Sequence, residues 1–134
     1  MPDPQLRFYN TMSRRLEVFE PIEKDHVRLY TCGPTVYDFS HIGNLRTFLF
    51  EDVLRRTLEL FGYRVTQVMN LTDIDDKTIR EAMAAGLELR DYTDRYIEAF
   101  FEDLDTLRVE RAEHYPRATD YVPQMVELVQ RLEE

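Results

Sequence analysis

The segment HIGNLR, residues 41–46, has the composition of an anion site, because it opens a predicted helix without an acidic side chain. The unpaired N–H groups at a helix N-terminus carry partial positive charge, and sequences usually place Asp or Glu beside them. From His41 onward no acid occurs before Glu51, so we expect these donors to be left for an anionic ligand. His41 and Asn44 can add hydrogen bonds to phosphate oxygens, and Gly43 leaves room for a nucleotide against the backbone.

A plainer interpretation of these residues stays open at this point. Ser40 could cap the helix by itself while His41 is an ordinary surface residue, since His-x-Gly alone is a weak motif. The position favours a ligand, because the helix follows a strand, and parallel α/β units bind ligands beyond the carboxyl ends of their strands.

The only cysteine of the chain, Cys32, ends the strand that precedes this helix. A single cysteine cannot form an internal disulfide, so Cys32 is a buried small residue, a nucleophile or a metal ligand. Composition alone favours the first of these. Gly33 and Pro34 follow and predict a turn, because proline removes a backbone donor.

Apolar periodicity predicts the order strand, helix, strand around this turn. Residues 26–32 and 63–72 have the pattern of strands, and between them apolar residues recur at helical spacing from Leu45 to Phe61. Gly62 predicts the helix end. A crossover of helical length makes the two strands parallel and the unit right-handed by default. The helical positions are Phe50, Val53, Leu54, Thr57, Leu58 and Phe61.

Further elements flank this unit on both sides. Two β-rich pieces, LRFYNT and LEVFEP, joined by MSRR, predict a hairpin near the start. A helix is predicted from Asp75 to a break at Gly86, with Asp73, Asp75 and Asp76 at its start capping it. A longer helix is predicted over residues 87–107. Its inner side is predicted to carry Leu89, Tyr92, Tyr96, Phe100 and Leu104.

The last part of the chain reads as a polar connector, RVERAEHYPRAT, and a final helix over residues 120–134 with Pro123 in its first turn. Glu133 and Glu134 close that helix with the charge disfavoured at a helix C-terminus, which predicts that more protein follows.

Length and composition fit one domain of 134 residues with 43% hydrophobic side chains. The sequence has no apolar run long enough to cross a bilayer and no signal segment, so we expect a cytoplasmic protein. The net charge of −9 argues against a major binder of nucleic-acid backbone, since such proteins usually carry a basic face.

Two longer segments, CGPTVYDFSHIGNLRTFLFEDVLRR and GYRVTQVMNLTDIDDKTIREA, resemble the N-terminal catalytic half of cysteinyl-tRNA synthetases, which are class I aminoacyl-tRNA synthetases. The likeness extends to YNT near the start, to FFEDLDTLRV and to PRATDYVPQMVELVQRL. Residues 41–44 stand where the class has His-Ile-Gly-His, and Asn44 departs from it as an amide that donates hydrogen bonds but cannot ionise.

The resemblance implies an α/β fold, a Rossmann-like (HUP-type) nucleotide-binding half-domain with a parallel sheet and flanking helices. It implies that residues 1–134 are the N-terminal half of the catalytic domain and end near the start of a connecting insertion. The implied activity is a cysteine–tRNA ligase that activates cysteine with ATP and Mg²⁺ and transfers it to the 3′ end of tRNA(Cys).

The same resemblance implies roles for individual residues. His41 and Asn44 would be catalytic and would stabilise charge developing on the α-phosphate. Thr35 and Thr72, with Cys32 and Gly33, would bind the substrate cysteine. The implied ATP-binding residues are Pro34, Tyr37, Asp38, His41, Gly43 and Asn44.

The resemblance also makes Cys32 one of four zinc ligands, and a thiolate-preferring zinc would reject serine without an editing site. The other three ligands and the Lys-Met-Ser-Lys-Ser loop do not occur in this sequence, and neither His26 nor His114 has ligand spacing to Cys32. We therefore expect the chain alone to be an inactive, weak nucleotide binder whose unfinished sheet favours self-association.

Three alternatives remain at the level of sequence. One is a ligase of the same superfamily that joins cysteine to the amine of an amino sugar. Another is a short non-catalytic paralogue that binds nucleotide or a partner. The third is an α/β domain in which His41 has no role.

Overall fold

The structure, a computed structural model, describes residues 5–133. Glu134, the last residue of the predicted final helix, lies outside this range. None of the described helices is both long and apolar enough to cross a membrane. The elements in chain order are β1 (Arg7–Asn10), β2 (Arg15–Val18), β3 (His26–Thr31), α1 (Ile42–Leu60), β4 (Arg64–Met69), α2 (Asp76–Ala85), α3 (Leu89–Thr106) and α4 (Val122–Glu133).

The predicted hairpin is confirmed, with β1 and β2 antiparallel from Arg7 opposite Val18 to Asn10 opposite Arg15. It packs on the rest of the chain through aromatic edges. The ring of Phe19 lies 5.3 Å from that of Phe8 and 5.6 Å from that of Tyr63. These contacts join the hairpin to a small apolar cluster formed by Val27, Leu58 and Val65.

The predicted parallel pair is also confirmed, because β3 and β4 run parallel from His26 beside Arg64 to Thr31 beside Met69. The interpretation of residues 108–119 as a mere polar connector is wrong. This segment lies along the other edge of β4, where the Met69 and Leu71 amides donate to the His114 and Pro116 carbonyls. Backbone pairing of this kind leaves no apolar alternation in the sequence, so apolar periodicity did not predict that residues 108–119 pair with β4.

Helix α1 buries several polar side chains, and part of the apolar side that its spacing predicted is exposed. Phe50 and Val53 are 68% and 60% exposed, and the buried side chains are Phe48, Glu51, Asp52, Arg55 and Leu58. The reason is the neighbouring segment. Asp52 accepts a hydrogen bond from the Glu110 amide, and the Arg55 guanidinium binds the Glu113 carboxylate at 2.7 Å and the Arg111 carbonyl. Polar side chains therefore dock α1 on residues 108–113.

The bounds of the two following helices agree with the sequence prediction, but Asp73 does not cap α2, because its side chain accepts from Thr119 instead. Helix α2 is capped by the Asp75 side chain and ends at Gly86, whose φ of 67° lies in the left-handed region that glycine adopts readily. Helix α3 buries Tyr92, Tyr96, Phe100 and Leu104 as predicted. These side chains form the main core together with Val36, Phe48, Met69, Leu71, Ala82, Ile97, Val109 and Ala112.

Helix α4 follows a short 3-10 turn and has no buried residue. Val122, Met125, Val126 and Val129 recur on one side of it, and each is exposed by 39% or more. An amphipathic helix normally packs its apolar side on another element, so this side of α4 is left uncovered by the described residues.

Candidate active site

A cleft of about 460 Å³ lies beyond the carboxyl end of β3, in front of the first turn of α1. It gathers most of the residues that the sequence singled out, namely Cys32, Gly33, Pro34, Thr35, Tyr37, Asp38, His41 and Asn44. Gly43 and Thr72 are not among its lining residues. Sequence reasoning missed Phe39, Ser40, Thr47, Phe48, Asp75 and Lys77, which line it as well.

The start of α1 corrects the expectation of vacant amide donors and of capping by Ser40. His41 is the N-cap, and its ring Nδ1 accepts a hydrogen bond from the Gly43 amide at 3.1 Å. In return the Asn44 side-chain oxygen accepts from the His41 amide at 3.3 Å. The helix thus caps itself with a histidine and an amide, and the absence of an acid in its first turn is confirmed.

This capping box determines which donors the two side chains have left. The His41 Nδ1 accepts a hydrogen bond from the Gly43 amide. The proton of the neutral ring therefore resides on Nε2, which can donate a hydrogen bond. Because the Asn44 oxygen is engaged by the His41 amide, its NH₂ group keeps two donors. Both side chains line the cleft, so they can present hydrogen-bond donors to an anion in place of the backbone amides.

The two glycines of this region have different reasons for lacking a side chain. A Cβ at Gly33 would lie 1.9 Å from the Asn70 carbonyl oxygen, so close packing of β3 against β4 requires glycine. A Cβ at Gly43 would meet only the His41 ring nitrogen, at 3.4 Å. The chain itself therefore gives Gly43 little steric reason to be glycine, although glycine costs helix stability.

Thr35 and Thr72 are neighbours across a parallel bridge, where the Thr72 amide donates to the Pro34 carbonyl and the Val36 amide to the Thr72 carbonyl. The Thr72 hydroxyl accepts a hydrogen bond from the Asn70 side chain. Only Thr35 of the two lines the cleft. The turn after β3 is thus held to the end of β4 by backbone bonds.

Cys32 is exposed at the cleft, so the buried position that composition favoured is wrong. It lies just after β3, where the alternation of the strand no longer directs side chains into the core. Within residues 5–133 no group of three or more His, Cys, Asp or Glu side chains could hold a metal ion. The described residues supply one thiol for zinc and do not fit a complete zinc site.

The loop that lines one wall of the cleft is held by α3. The Tyr92 hydroxyl donates to the Tyr37 carbonyl at 2.9 Å, and the Phe39 ring lies edge-on to the Tyr96 ring at 5.2 Å. The guanidinium of Arg95 lies over both tyrosine rings of α3, 4.6 Å and 4.5 Å from their centroids. The sequence placed these tyrosines in the core, but nothing in their spacing linked them to the cleft.

The family model described as "tRNA synthetases class I (C) catalytic domain" matches residues 18–134. This match covers most of the chain, and the chain belongs to that family. The helices and the parallel pair of strands agree with such a catalytic domain.

Relatives named cysteine–tRNA ligase give the more particular likeness. The chain is 58% identical over 127 residues to that of Protochlamydia amoebophila, covering 95% of this chain and 27% of the relative. It is 53% identical over 129 residues to that of Leptospira interrogans, and 54% over 127 residues to that of Methanosarcina mazei. These two matches cover 96% and 95% of this chain and 27% of each relative. The chain thus spans about a quarter of the length of the curated relatives it matches.

Proposed function

We propose that this chain supplies the nucleotide-binding face of a cysteine–tRNA ligase. The whole enzyme would activate cysteine with ATP to form cysteinyl-adenylate and transfer it to tRNA(Cys). The observation that carries this proposal is the capping box of His41 and Asn44 at the mouth of a cleft whose rim also holds Cys32. High identity to relatives of that name over nearly the whole chain supports it.

In this proposal the His41 Nε2–H and the Asn44 NH₂ group bind the α-phosphate of ATP. The cysteine carboxylate attacks the α-phosphorus, and pyrophosphate leaves with the electrons of the broken P–O bond. Negative charge grows on the α-phosphate oxygens during this step, and fixed donors in a cleft stabilise it without reorganising. Neither role requires ionisation at Asn44, so an amide suffices there.

Binding of the nucleotide in this proposal depends on the residues around the capping box. Gly43 lets the adenosine lie close to the helix start, which agrees with its lack of a steric reason within the chain. Pro34, Tyr37 and Asp38 line the same cleft and would contact the nucleotide there. Mg²⁺ would accompany the triphosphate as part of the substrate.

The substrate cysteine would lie beside Cys32 and Thr35, which share the cleft with His41. Gly33 and Thr72 would act on this side through the backbone. The Gly33 amide donates to the Asn70 side chain, and the Thr72 amide and carbonyl bond the Pro34 carbonyl and the Val36 amide in the turn that carries Thr35. Cys32 would be the one zinc ligand from this chain. The remaining ligands and the groups that bind tRNA(Cys) would belong to parts of the enzyme outside this sequence.

On the same proposal, residues 1–134 would be the N-terminal half of a Rossmann-like catalytic domain. This half would end near a connecting insertion. Two features support an unfinished domain. No strand in the described part of the chain pairs with the outer edge of β3, and the apolar side of α4 is uncovered. The chain alone would then lack ligase activity.

An uncovered sheet edge and an uncovered apolar helix also favour self-association at high concentration. Light scattering over a range of protein concentrations tests this, with dimers or larger species expected. A monomer at every concentration would contradict it.

Nucleotide binding by the cleft is tested by titrating ATP into the wild-type chain, His41→Ala and Gly43→Val. We expect weak binding to the wild type and a loss of about tenfold or more in each variant, as removed charge-assisted bonds or a blocked surface would give. Equal affinities in all three proteins would remove the basis of the proposal. Circular dichroism of each variant is the control for folding.

A further inference from the structure

One lysine, and no arginine, is among the described residues that line the cleft. Lys77 is that residue, while Asp38 and Asp75 are the acids of the same lining. Nothing in the proposed function so far uses Lys77. A binder of triphosphate needs positive charge near the phosphate chain, since donors at one end alone leave most of the anionic oxygens unmatched.

A purely structural role does not explain a lysine at position 77. It lies in the first turn of α2, where the helix dipole disfavours a cation. One oxygen of the neighbouring Asp75 carboxylate accepts from both the Thr78 amide and the Thr78 hydroxyl at 2.7 Å. These hydrogen bonds lower the pKa of Asp75 and identify it as the helix cap, and the backbone and charge of Lys77 lower the pKa to a smaller extent.

The ammonium group of Lys77 lies instead over an aromatic ring that faces the cleft. Its Nζ is 5.3 Å from the centroid of the Tyr37 ring, and the Tyr37 backbone is held in turn by Tyr92. The ion pairs among residues 5–133 join arginines or His26 to carboxylates, and none includes Lys77. A cation held by a ring face keeps its N–H donors for a further partner.

We infer that Lys77 is a further nucleotide-binding residue, whose ammonium group binds an anionic oxygen of the ATP triphosphate in the cleft that His41 and Asn44 also line. This inference rests on the proposed function, since it requires nucleotide in the cleft. The capping box would bind the α-phosphate and Lys77 the β- and γ-phosphates, so that the two sides of the cleft share the charge of the triphosphate. Tyr37 positions the ammonium group and limits its hydration.

The lysine content of the chain permits a direct test on the unmodified protein. Lysine occurs only at Lys24 and Lys77, and Lys24 is exposed in the connection between β2 and β3. The chain is treated with an amine-acylating reagent with and without saturating ATP, and the modified peptides are quantified by mass spectrometry. ATP is expected to slow acylation of Lys77 and to leave Lys24 unchanged.

Different ligands separate the possible sources of the anionic oxygen. Inorganic tripolyphosphate should protect Lys77 as ATP does, whereas adenosine and L-cysteine should not. Protection by L-cysteine alone would assign the ammonium group to the amino-acid carboxylate and overturn the inference. Equal acylation of Lys77 with and without bound ATP would overturn it as well.

Variants give the second measurement and a matched control. The dissociation constant of ATP is expected to rise about tenfold in Lys77→Met, to change little in Lys77→Arg, and to stay the same in Lys24→Met. If Lys77→Met binds ATP as the wild type does while His41→Ala does not, Lys77 has no such role and the proposed function stands. If the wild-type chain binds no ATP at millimolar concentration, both are wrong.

Discussion

The phenol of Tyr92 donates a 2.9 Å hydrogen bond to the backbone carbonyl of Tyr37 and so joins the core of α3 to the wall of the cleft. Burial, with the neighbouring hydroxyl of Tyr96, raises the pKa of Tyr92, so the hydroxyl stays protonated and remains a donor at neutral pH. Tyr37 in turn carries the ring beneath the Lys77 ammonium group. A core residue thus positions a loop whose side chains face the ligand.

Replacing Tyr92 by Phe removes this hydrogen bond and keeps the ring. We expect a loss of about 1 kcal/mol in the free energy of unfolding, since the half-buried Tyr37 carbonyl loses its donor. ATP affinity should fall about threefold or more, because the wall of the cleft is less well fixed. Urea unfolding and ATP titration measure the two effects. Tyr63→Phe, in the hairpin cluster, is the control, and equal ATP affinity in Tyr92→Phe would contradict the positioning role.

Replacing Gly33 and Gly43 by alanine distinguishes a glycine that packing requires from one that leaves room for a ligand. Gly33→Ala should lower the free energy of unfolding by about 1–3 kcal/mol, because the new Cβ overlaps the Asn70 carbonyl oxygen. Gly43→Ala should keep or raise stability, since alanine favours helix by up to about 1 kcal/mol. Thermal unfolding of both variants measures this. A strongly destabilised Gly43→Ala would show that the chain itself requires glycine there.

The buried carboxyl of Glu51 gives a dependence of stability on pH. Burial raises the pKa of Glu51, although contact with Thr31 lowers it in part, and one side-chain oxygen has no hydrogen-bond partner among the described residues. The pKa of Glu51 in the folded protein therefore lies above its ordinary value, so the contribution of Glu51 to stability is fully present when the pH is below that ordinary value. It is lost as pH rises through the folded pKa.

It follows that Glu51→Gln should be more stable than the wild type at neutral pH, by on the order of 1 kcal/mol, because it removes a buried charge. The difference should disappear below about pH 4, where the carboxyl is protonated in both states. Urea unfolding from acid to neutral pH measures it. Glu98→Gln, on the exposed side of α3, is the control. A Glu51→Gln curve parallel to that of the wild type would argue against a buried charge.

Asp73 anchors the segment that leads into α4. It is 1% exposed, and its two oxygens accept from the Thr119 amide at 2.9 Å and the Thr119 hydroxyl at 2.6 Å. Asp73→Ala should lower the free energy of unfolding by about 1–3 kcal/mol, as it leaves a backbone donor unpaired. Asp76→Ala, in the exposed first turn of α2, should cost less than about 1 kcal/mol. Chemical denaturation measures the free energy of unfolding of both variants. Equal losses of that free energy would contradict the anchoring role of Asp73.

Several elements of the fold could be predicted from local residues. Asp75 and Gly86 gave the bounds of α2, because a side-chain cap and a left-handed glycine act within one turn of the chain. The parallel pair of β3 and β4 followed from the helical length between the strands. The inner side of α3 followed from its apolar period.

The contacts of α1 could not be predicted in this way. Of its predicted apolar positions Leu58 is buried, but Phe50 and Val53 are exposed. Asp52 and Arg55, which the apolar spacing did not select, are buried. They are buried because residues 110–113 offer a backbone amide, a carbonyl and a carboxylate as partners, 56 to 58 residues further along the chain. No local pattern contains such partners.

The sequence by itself determined the family, the order of the main elements and the site at the start of α1, because motifs, caps and periodicity are encoded in neighbouring residues. Only the tertiary structure decided how that site presents its donors. In the structure His41 and Asn44 form a capping box, Cys32 is exposed, Lys77 lines the cleft, and Tyr92 holds the Tyr37 carbonyl behind the cleft wall. These relationships depend on side-chain hydrogen bonds and on packing between segments distant in the chain, which a linear pattern does not specify.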